Sequence, residues 1–230
     1  MMSESEIFDL VTFLPHASFK DAATGRYILV SEGLAKRCRL ESPAQMEGLT
    51  VDDLSFAKAP CGREFEEDIR KMDYLVLEKK LGIKMTHAGM RFADGKLIYQ
   101  TISKLPIVGE RKLLGIITFG HDLTETLRHQ TLYFLYKKIC KSKEIAIRKL
   151  LRHLEIDTYF FRPPTESELL ILLERGTGRS NKEIAIERHV TVRTVDAHIN
   201  SIRAKLKGDV LPRVINSLRK CSDVSQTSMM

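Results

Sequence analysis

The stretch from Ser180 to Leu206, SNKEIAIERHVTVRTVDAHINSIRAKL, decides how the C-terminal part of this chain folds. It contains two short amphipathic patterns that are separated by a tight break. Ser180 and Glu183 have the spacing of a capping box, in which the serine hydroxyl accepts from a helical N–H and the glutamate reaches back to the serine N–H. Thr191 is a favourable N-cap for a second helix, which we predict over Val192–Leu206.

The second helix has one apolar and one polar face. Positions i, i+4, i+7 and i+11 form a stripe that is typical of a buried helix face. These positions are Val195, Ile199, Ile202 and Leu206. The opposite face carries small, polar or cationic side chains, namely Arg193, Asp196, Ala197, Asn200 and Arg203. A helix that is held by one stripe and presents such a face to solvent is suited to enter a DNA groove.

These residues resemble the LuxR-type helix-turn-helix, whose pattern SNKEIA, then V/I-S/T, then TV, H, I and KL recurs here without a gap. The resemblance implies a four-helix domain over residues 161–220 that binds double-stranded DNA, with the fourth helix commonly making a dimer contact. The matching positions are Ser180, Glu183, Ile184, Ala185, Val190, Thr191, Thr194, Val195, His198, Ile202, Lys205 and Leu206.

The flanking sequence supplies the other two helices of such a domain. Thr165 and Glu168 form a second capping box before a predicted helix over 166–175. We interpret Gly176 and Gly178 as the C-cap and turn after this helix, because a nucleotide-binding loop would need a third glycine and a preceding strand. Gly208 is expected to end the recognition helix, residues 210–218 form the fourth helix, and residues 221–230 form a frayed tail.

By the resemblance, base edges are contacted two, three and six residues beyond Thr194, which gives Asp196, Ala197 and Asn200. Asparagine can bridge adenine N6 and N7, and alanine can contact a thymine methyl group. Phosphate oxygens are expected to be contacted by hydroxyl and cationic side chains, which set the register on the duplex. These are Lys182, Thr191, Arg193, Arg203 and Lys205.

Asp196 departs from the family pattern, which most often has a lysine at this position. Phosphates repel an aspartate unless it meets a donor, and cytosine N4 is the natural one. Alternatively, Asp196 stabilises the start of its helix through the helix dipole. The sequence leaves both alternatives open. His198 stands where the family often has a histidine, and we interpret it as a packing residue rather than a ligand or a switch.

The excess of positive over negative charge lies in the C-terminal half of the chain. Residues 1–124 contain 17 basic and 18 acidic side chains, residues 125–160 contain 8 and 4, and residues 161–220 contain 12 and 7. Binding to phosphates needs such an excess, because affinity comes largely from the release of counterions. An ordinary solvated surface would also be charged, but together with the helix motif the excess favours DNA.

Residues 1–124 follow a different pattern and are predicted to form a separate domain. Glycine turns and apolar alternation predict strands at 17–21 and 25–30, then helical segments at 31–39, 50–54 and 63–81. Three antiparallel strands follow at 83–92, 97–105 and 113–120, joined by turns at Asp94-Gly95 and Gly109-Glu110. The expected fold class is therefore α+β, with one antiparallel sheet that carries helices on one face, followed by the all-α four-helix domain.

This order of elements resembles a PAS domain. The resemblance implies either a sensor that holds a small molecule between sheet and helices, or a dimerising module without a ligand. The residues that carry it are Phe19-Lys20-Asp21, Gly25-Arg26-Tyr27, Asp94-Gly95-Lys96, Lys104-Leu105-Pro106, Leu114-Gly115-Ile116-Ile117 and Asp122-Leu123-Thr124.

We predict no haem or flavin in this domain. Flavin-binding photosensors of the family carry a reactive cysteine in a G-x-N-C-R-F-like run, which the sequence around Cys61 does not match. Haem needs an axial histidine or methionine that points into the pocket. The helix at 63–81 has no histidine, and His16, His87 and His121 are expected at surface positions.

Residues 125–160 are predicted to be a helical connector of about 45 Å. Leu132, Leu135 and Ile139 begin an apolar seam that Ile147, Leu150, Leu151 and Leu154 continue. We favour pairing of this seam with a second copy of the chain over packing on the sheet, because a long seam finds few partners within one chain.

Several function classes find no support in the sequence. No apolar run is long enough to span a bilayer, and the first residues are acidic rather than a basic leader. Four widely spaced cysteines lack metal-ligand spacing and suit reduced thiols in the cytoplasm. There is no P-loop, H-E-x-x-H or G-x-S-x-G motif, so an enzyme is not predicted.

Two functions remain. The first is a transcriptional regulator that binds DNA as a homodimer and senses a signal through its PAS-like domain. The alternative is a PAS-based ligand-binding or protein-interaction module whose helix-turn-helix mainly contacts a protein partner. The cationic and amide face formed by Arg193, Asn200 and Arg203 favours the regulator.

Overall fold

The computed structural model describes residues 3–54, 62–90, 95–109 and 112–227. The chain divides into two compact units, Met1–Leu123 and Thr124–Met230. Cys61, whose surroundings do not match a flavin-binding motif, and Asp94 and Glu110, which the sequence places in two turns, lie outside the described residues.

A five-stranded antiparallel sheet forms the centre of the first unit. Its strands are β1 Ala17–Asp21, β2 Tyr27–Val30, β3 Ile83–Met90, β4 Leu97–Val108 and β5 Leu113–Asp122. The strand order is β2-β1-β5-β4-β3, so the N-terminal hairpin pairs with the last strand of the β3–β5 meander. The predicted antiparallel sheet with helices is confirmed.

Both faces of this sheet are covered, so the prediction of helices on one face only is wrong. Helices α2 Glu32–Arg37 and α3 Gly62–Lys79 share a core with Tyr27 and Ile102. Helix α1 Glu4–Phe13 packs instead with Phe19, which alternates with Lys20 along β1 and therefore points to the other face. The sequence contained a signal for α1, because Ser3 and Glu6 form a capping box.

Six α-helices make up the second unit: α4 His129–Ile139, α5 Lys143–His153, α6 Glu166–Gly176, α7 Asn181–Glu187, α8 Val192–Arg203 and α9 Leu211–Thr227. Gly178 adopts a φ of 90° after α6, as expected for a turn that follows a helix. Gly176 is buried, and a Cβ there would lie 2.7 Å from Leu218 Cβ of α9. The glycine therefore allows α6 and α9 to approach closely.

The connector is a pair of packed helices, so the prediction of a continuous helix of about 45 Å is wrong. Cys140 is extended, and the Ser142 side chain accepts from Ile145 N to begin α5. Tyr133 and Tyr136 of α4 are fully buried, and the Tyr136 hydroxyl lies 2.8 Å from His153 Nδ1 of α5. The break at Cys140 lets α5 fold back onto α4. Four seam residues, Leu132, Ile147, Leu150 and Leu151, are thereby buried within the unit, while Leu135, Ile139 and Leu154 are half-buried.

Two other helix ends differ from the prediction. Helix α8 ends at Arg203 rather than Leu206, because Leu206 forms a β-bridge with Phe160. Hydrogen bonds from Phe161 N to Lys205 O and from Lys207 N to Tyr159 O extend this pairing. Helix α9 continues to Thr227, so most of the expected frayed tail is helical.

Within the described ranges, no helix is long and apolar enough to cross a membrane. The same residues contain no group of histidine, cysteine and acidic side chains that could hold a metal ion. Cys38 and Cys140 are free thiols, and burial raises the pKa of Cys38 to about 11.

Candidate nucleic-acid interface

The ends of α7 and α8 are fixed by the caps that the sequence predicts. Glu183 N donates to Ser180 Oγ, and the Ser180 N–H donates to Glu183 Oε2 at 2.7 Å. Thr194 N donates to Thr191 Oγ1 at 3.1 Å. These contacts satisfy helical N–H groups that have no partner within their own helix, and they set where each helix begins.

A tight turn at His189 joins the two helices. His189 has a φ of 53°, a left-handed conformation that glycine usually supplies after a helix. Val190 N donates to Ala185 O, and His189 N donates to Ile186 O, which is the hydrogen-bond pattern of a Schellman motif. The turn therefore fixes the direction in which α8 leaves α7.

Helix α8 is anchored by its apolar stripe and exposes its polar face. Val195, Ile199 and Ile202 are buried in the second unit. The five residues of the opposite face are all exposed, namely Arg193, Asp196, Ala197, Asn200 and Arg203. The structure thus brings the three predicted base-contacting residues together on one solvent-facing ridge, and His198 beside them is half-buried.

Two polar contacts on this ridge were not predicted from the sequence. Asn181, the first residue of α7, donates through Nδ2 to Asp196 Oδ1 at 2.7 Å. Arg203 Nη1 donates to Asn200 Oδ1 at 3.1 Å. Asp196 is the fifth residue of α8, and its carboxylate therefore has a donor on the neighbouring helix even without DNA.

The predicted phosphate-contacting residues lie in different surroundings. Lys182, Thr191 and Arg193 are exposed around the N-termini of α7 and α8. Among the described residues, Lys182 and Arg193 have no ion-pair partner. Lys205 is half-buried, and its Nζ lies 2.6 Å from Glu168 Oε2 of α6. The prediction that Lys205 contacts phosphate therefore competes with an internal ion pair.

Glu168 accepts hydrogen bonds from several residues besides Lys205. Its side chain is 5% exposed, and it also accepts from Ser201 Oγ at 2.6 Å and from Thr165 N at 2.6 Å. Burial opposes the charged carboxylate, but the hydrogen bonds from Lys205, Ser201 and Thr165 outweigh it and lower the pKa of Glu168 to about 2. The capping box of α6 thereby also ties α6 to the C-terminal half of α8.

The first unit holds a separate charge cluster on the α3 side of its sheet. Asp73 of α3 accepts from Lys20 Nζ of β1 at 2.7 Å and from Lys104 Nζ of β4. The lysine side chains are only 3% and 1% exposed, respectively. Desolvation lowers the pKa of Lys104 to about 8, although Asp73 opposes this shift. Two cations thus share one carboxylate in a nearly dry environment.

The histidines that were considered as haem ligands differ in their exposure. His16 is half-buried, His121 is exposed, and the ring of His87 lies 4.6 Å from the ring of Phe65. Burial lowers the pKa of both His16 and His87. His16 and His87 are thus partly buried rather than at the surface positions that the sequence predicts, and His121 is exposed as predicted.

Comparison with known proteins identifies the C-terminal domain. Residues 164–215 match the profile of the bacterial regulatory proteins, luxR family. The response regulator protein VraR of Staphylococcus aureus is 23% identical over 180 residues, which cover 76% of this chain and 73% of VraR. The Vibrio cholera VqmA–ligand–DNA complex is 17% identical, covers 98% of this chain and 90% of VqmA, and has a TM-score of 0.47. The PAS domain of Bordetella pertussis BvgS is 17% identical, covers 58% of this chain and 94% of that domain, and has a TM-score of 0.45. The segment that carries α6 to α8 and the start of α9 therefore belongs to the luxR family of bacterial regulatory proteins.

Proposed function

We propose that this protein is a sequence-specific DNA-binding transcriptional regulator whose helix α8 enters the major groove. The observation that carries the proposal is the arrangement of α8 within a luxR-family domain. Three buried residues, Val195, Ile199 and Ile202, fix the helix while its opposite face is exposed. Helix-turn-helix proteins read base edges with such a face.

Base contacts are made by Asp196, Ala197 and Asn200. The hydrogen bond from Asn181 occupies one carboxylate oxygen of Asp196 and leaves the other for cytosine N4. Asn181 thus orients the carboxylate before DNA binds. Asn200 suits adenine, and Ala197 suits a thymine methyl group.

Phosphate contacts are made by Lys182, Thr191, Arg193 and Arg203, whose side chains are all exposed. These contacts supply most of the affinity and little of the sequence preference. Lys205 has a different role, because its ion pair with Glu168 holds the end of α8 against α6.

The regulator works as a homodimer in the cytoplasm, where its DNA lies. Each protomer places α8 in one half-site, and successive half-sites are about 34 Å apart along the duplex. The alternative of a protein-interaction module is not favoured, since the exposed ridge of α8 carries the hydrogen-bonding groups that base edges require. The domains to which the chain is similar are those of regulators, and we assign no catalytic activity to it.

The first unit is the sensor, and its ligand is a small molecule bound between the sheet and α3. Lys20, Asp73 and Lys104 support this assignment, because among the described residues this buried cluster pairs two lysines with one carboxylate, and such an excess favours a ligand with an acidic group. Its antiparallel sheet also differs from the parallel 2-1-3-4-5 sheet of CheY-type receivers, so the signal is not a phosphoryl group on a receiver aspartate.

A selection from random-sequence duplexes tests the proposed function. The full-length protein should enrich a site with two related half-sites, and Asn200→Ala should lose the preference at one position by about 1–3 kcal/mol. Arg193→Ala is the matched control, because removal of a phosphate contact weakens binding to all sequences alike. Failure of the wild-type protein to retard any duplex at low salt would refute the proposal.

A further inference from the structure

A cavity of about 330 Å³ lies between α6, α7, α8 and α9. Its lining includes Arg175, Arg203 and Arg219, together with Asn181 and the apolar side chain of Ile199. Among the described residues, none that lines the cavity is acidic. The volume corresponds to roughly ten water molecules at about 30 Å³ each, so the cavity has room for more than a single bridging water. We name this cavity the arginine pocket.

The arginine pocket contains an acceptor that the protein leaves unused. Asn181 Nδ2 donates to Asp196, while Asn181 Oδ1 is buried and has no hydrogen-bond partner among the described residues. Exchanging the two amide atoms would place Oδ1 against the Asp196 carboxylate, so the orientation of the amide is fixed by charge. A buried acceptor without a donor is costly, and a guanidinium that settles beside it would relieve this cost.

Arginine is suited to serve two acceptors at once. A guanidinium has five N–H donors in a planar fork, of which two can bind a phosphate in a bidentate manner. The remaining donors can reach a neighbouring oxygen such as Asn181 Oδ1. One guanidinium is already positioned at the edge of the pocket, because Arg175 Nη1 donates to Arg179 O at 2.7 Å.

Two hydrogen bonds connect the arginine pocket with the exposed ridge of α8. Asn181 contacts Asp196, and Arg203 contacts Asn200. Asp196 and Asn200 are the residues to which we assign base contacts. If they face base edges in the major groove, we expect the strand that borders the groove to pass near Asn181 and Arg203, which contact them and line the pocket.

We propose that the arginine pocket receives a phosphodiester group of this bordering DNA strand. The assignment rests on the proposed function and adds Arg175 and Arg219, from α6 and α9, to the phosphate-contacting residues. These two helices lie outside the helix-turn-helix pair itself. The pocket therefore sets the angle at which α8 enters the groove, since a phosphate held there fixes the duplex relative to α6 and α9.

The test is a salt titration of full-length protein on fluorescent random-sequence duplexes. The variants are Arg175→Gln, Arg219→Gln and the matched control Arg213→Gln, which removes an exposed arginine of α9 that does not line the pocket. Removing one phosphate contact should lower the slope of log K against log[NaCl] by about 0.9. The decrease in affinity between about 50 and 200 mM NaCl should then be about 3.5-fold smaller for each variant that removes such a contact. Base preference should not change, and thermal melting verifies that each variant folds.

The outcomes separate this inference from the proposed function. An unchanged slope in folded Arg175→Gln and Arg219→Gln overturns the pocket while the wild-type protein still binds DNA. An equal change in Arg213→Gln also overturns it, because the effect would then be one of general charge. If sulfate at constant ionic strength stabilises the wild type but not Arg219→Gln, and the slopes agree, the pocket binds a free anion instead. No binding by the wild type refutes the proposed function itself.

Discussion

Asp196 shows how one side chain can depend on a residue fifteen positions away. Its hydrogen bond with Asn181 fixes the carboxylate at the surface that we assign to base recognition. The negative charge lowers the affinity for DNA, because the phosphates repel it. The fixed orientation of the carboxylate favours a base that donates a hydrogen bond. Asn181 at the start of α7 is therefore part of the recognition surface, although it lies outside α8.

Asp196→Asn separates the charge from the shape of this side chain. We expect tighter binding to all duplexes, because repulsion from phosphates is removed, and a weaker preference for cytosine at one position. A selection from random sequences, followed by anisotropy titrations on the enriched sites, measures both effects. Asn181→Ala is the companion variant, and it should weaken the cytosine preference without changing the charge. An unchanged preference in both variants would contradict the assigned base contact.

The contacts of the Glu168 carboxylate with Ser201 and Lys205 stabilise the packing of α6 against α8, and we predict that acid weakens them. Its folded pKa of about 2 lies below the usual value, so its stabilising effect is complete above that value and is lost as the pH falls toward 2. The shift corresponds to at most roughly 3 kcal/mol at neutral pH. Glu168→Gln should therefore destabilise the protein at pH 7, and this difference from the wild type should shrink as the pH falls below about 4.5.

Urea unfolding of the wild type and Glu168→Gln between pH 7 and 3 measures this effect, since the urea midpoint follows stability. Glu144→Gln is the control, because Glu144 is an exposed partner of Arg148 in an i,i+4 pair that contributes little. A difference between Glu168→Gln and wild type that does not depend on pH would show that the carboxylate charge is not involved.

At the scale of elements, the turn between α7 and α8 stores a small amount of strain. A non-glycine residue in the left-handed region costs about 1 kcal/mol, and His189 occupies that region with an exposed side chain. His189→Gly should stabilise the protein by up to about 1 kcal/mol, less the entropy that glycine adds to the unfolded chain.

Thermal unfolding of His189→Gly and His189→Ala distinguishes backbone strain from a role of the imidazole. The alanine variant keeps the Cβ and should resemble the wild type, whereas the glycine variant should melt at a higher temperature. Equal stabilisation by both would show that the histidine ring, and not its backbone conformation, is unfavourable.

The connector shows how one short break redirects two elements. A continuous helix over this region would have left its seam open to a second chain. The extended residue Cys140 and the N-cap Ser142 instead begin a second helix, and much of the seam is buried between α4, α5 and their neighbours. Most of the seam is therefore used within one chain, and pairing with a second copy stays a prediction for the half-buried residues Leu135, Ile139 and Leu154.

At the scale of the whole molecule, each unit has its own core and its own buried polar network. Asp73 neutralises one of two buried lysines in the first unit, while Gly176 allows close packing of α6 and α9 in the second. We predict that Asp73→Asn lowers the stability of the first unit by about 3–5 kcal/mol, because two buried cations lose their carboxylate.

Gly176→Ala should destabilise the second unit by about 1–3 kcal/mol through overpacking.

Calorimetry of the intact chain should therefore resolve two transitions, of which Asp73→Asn lowers one and Gly176→Ala lowers the other. Gly208→Ala is a control for the second variant, because its φ of 85° is strained for alanine although its surroundings are open. A single transition that moves in both variants would show that the two units unfold together.

Much of the secondary structure, including the caps of α6, α7 and α8 and the apolar stripe of α8, could be predicted from the sequence. These features depend on residues three to eleven positions apart, so they are determined by helix and strand geometry. The C-terminal domain was also identifiable because its motif lies in one uninterrupted run. Helix α1 was missed although Ser3 and Glu6 carried the same signal as the other capping boxes.

Contacts between distant residues depend on how the helices and strands pack together. The pairs Asn181–Asp196, Glu168–Lys205 and Lys20–Asp73 are separated by 15, 37 and 53 residues, respectively. The sequence pattern predicts that Lys205 and Arg203, which carry the same charge, both contact phosphates. In the structure Lys205 forms an ion pair with Glu168 of α6, whereas Arg203 is exposed. Local sequence patterns predict where most helices and strands lie, because local hydrogen bonds and side-chain periodicity act over one or two turns. The packing of those segments decided which polar side chains remain available to DNA, because a charge that meets a buried partner is no longer free to bind a phosphate.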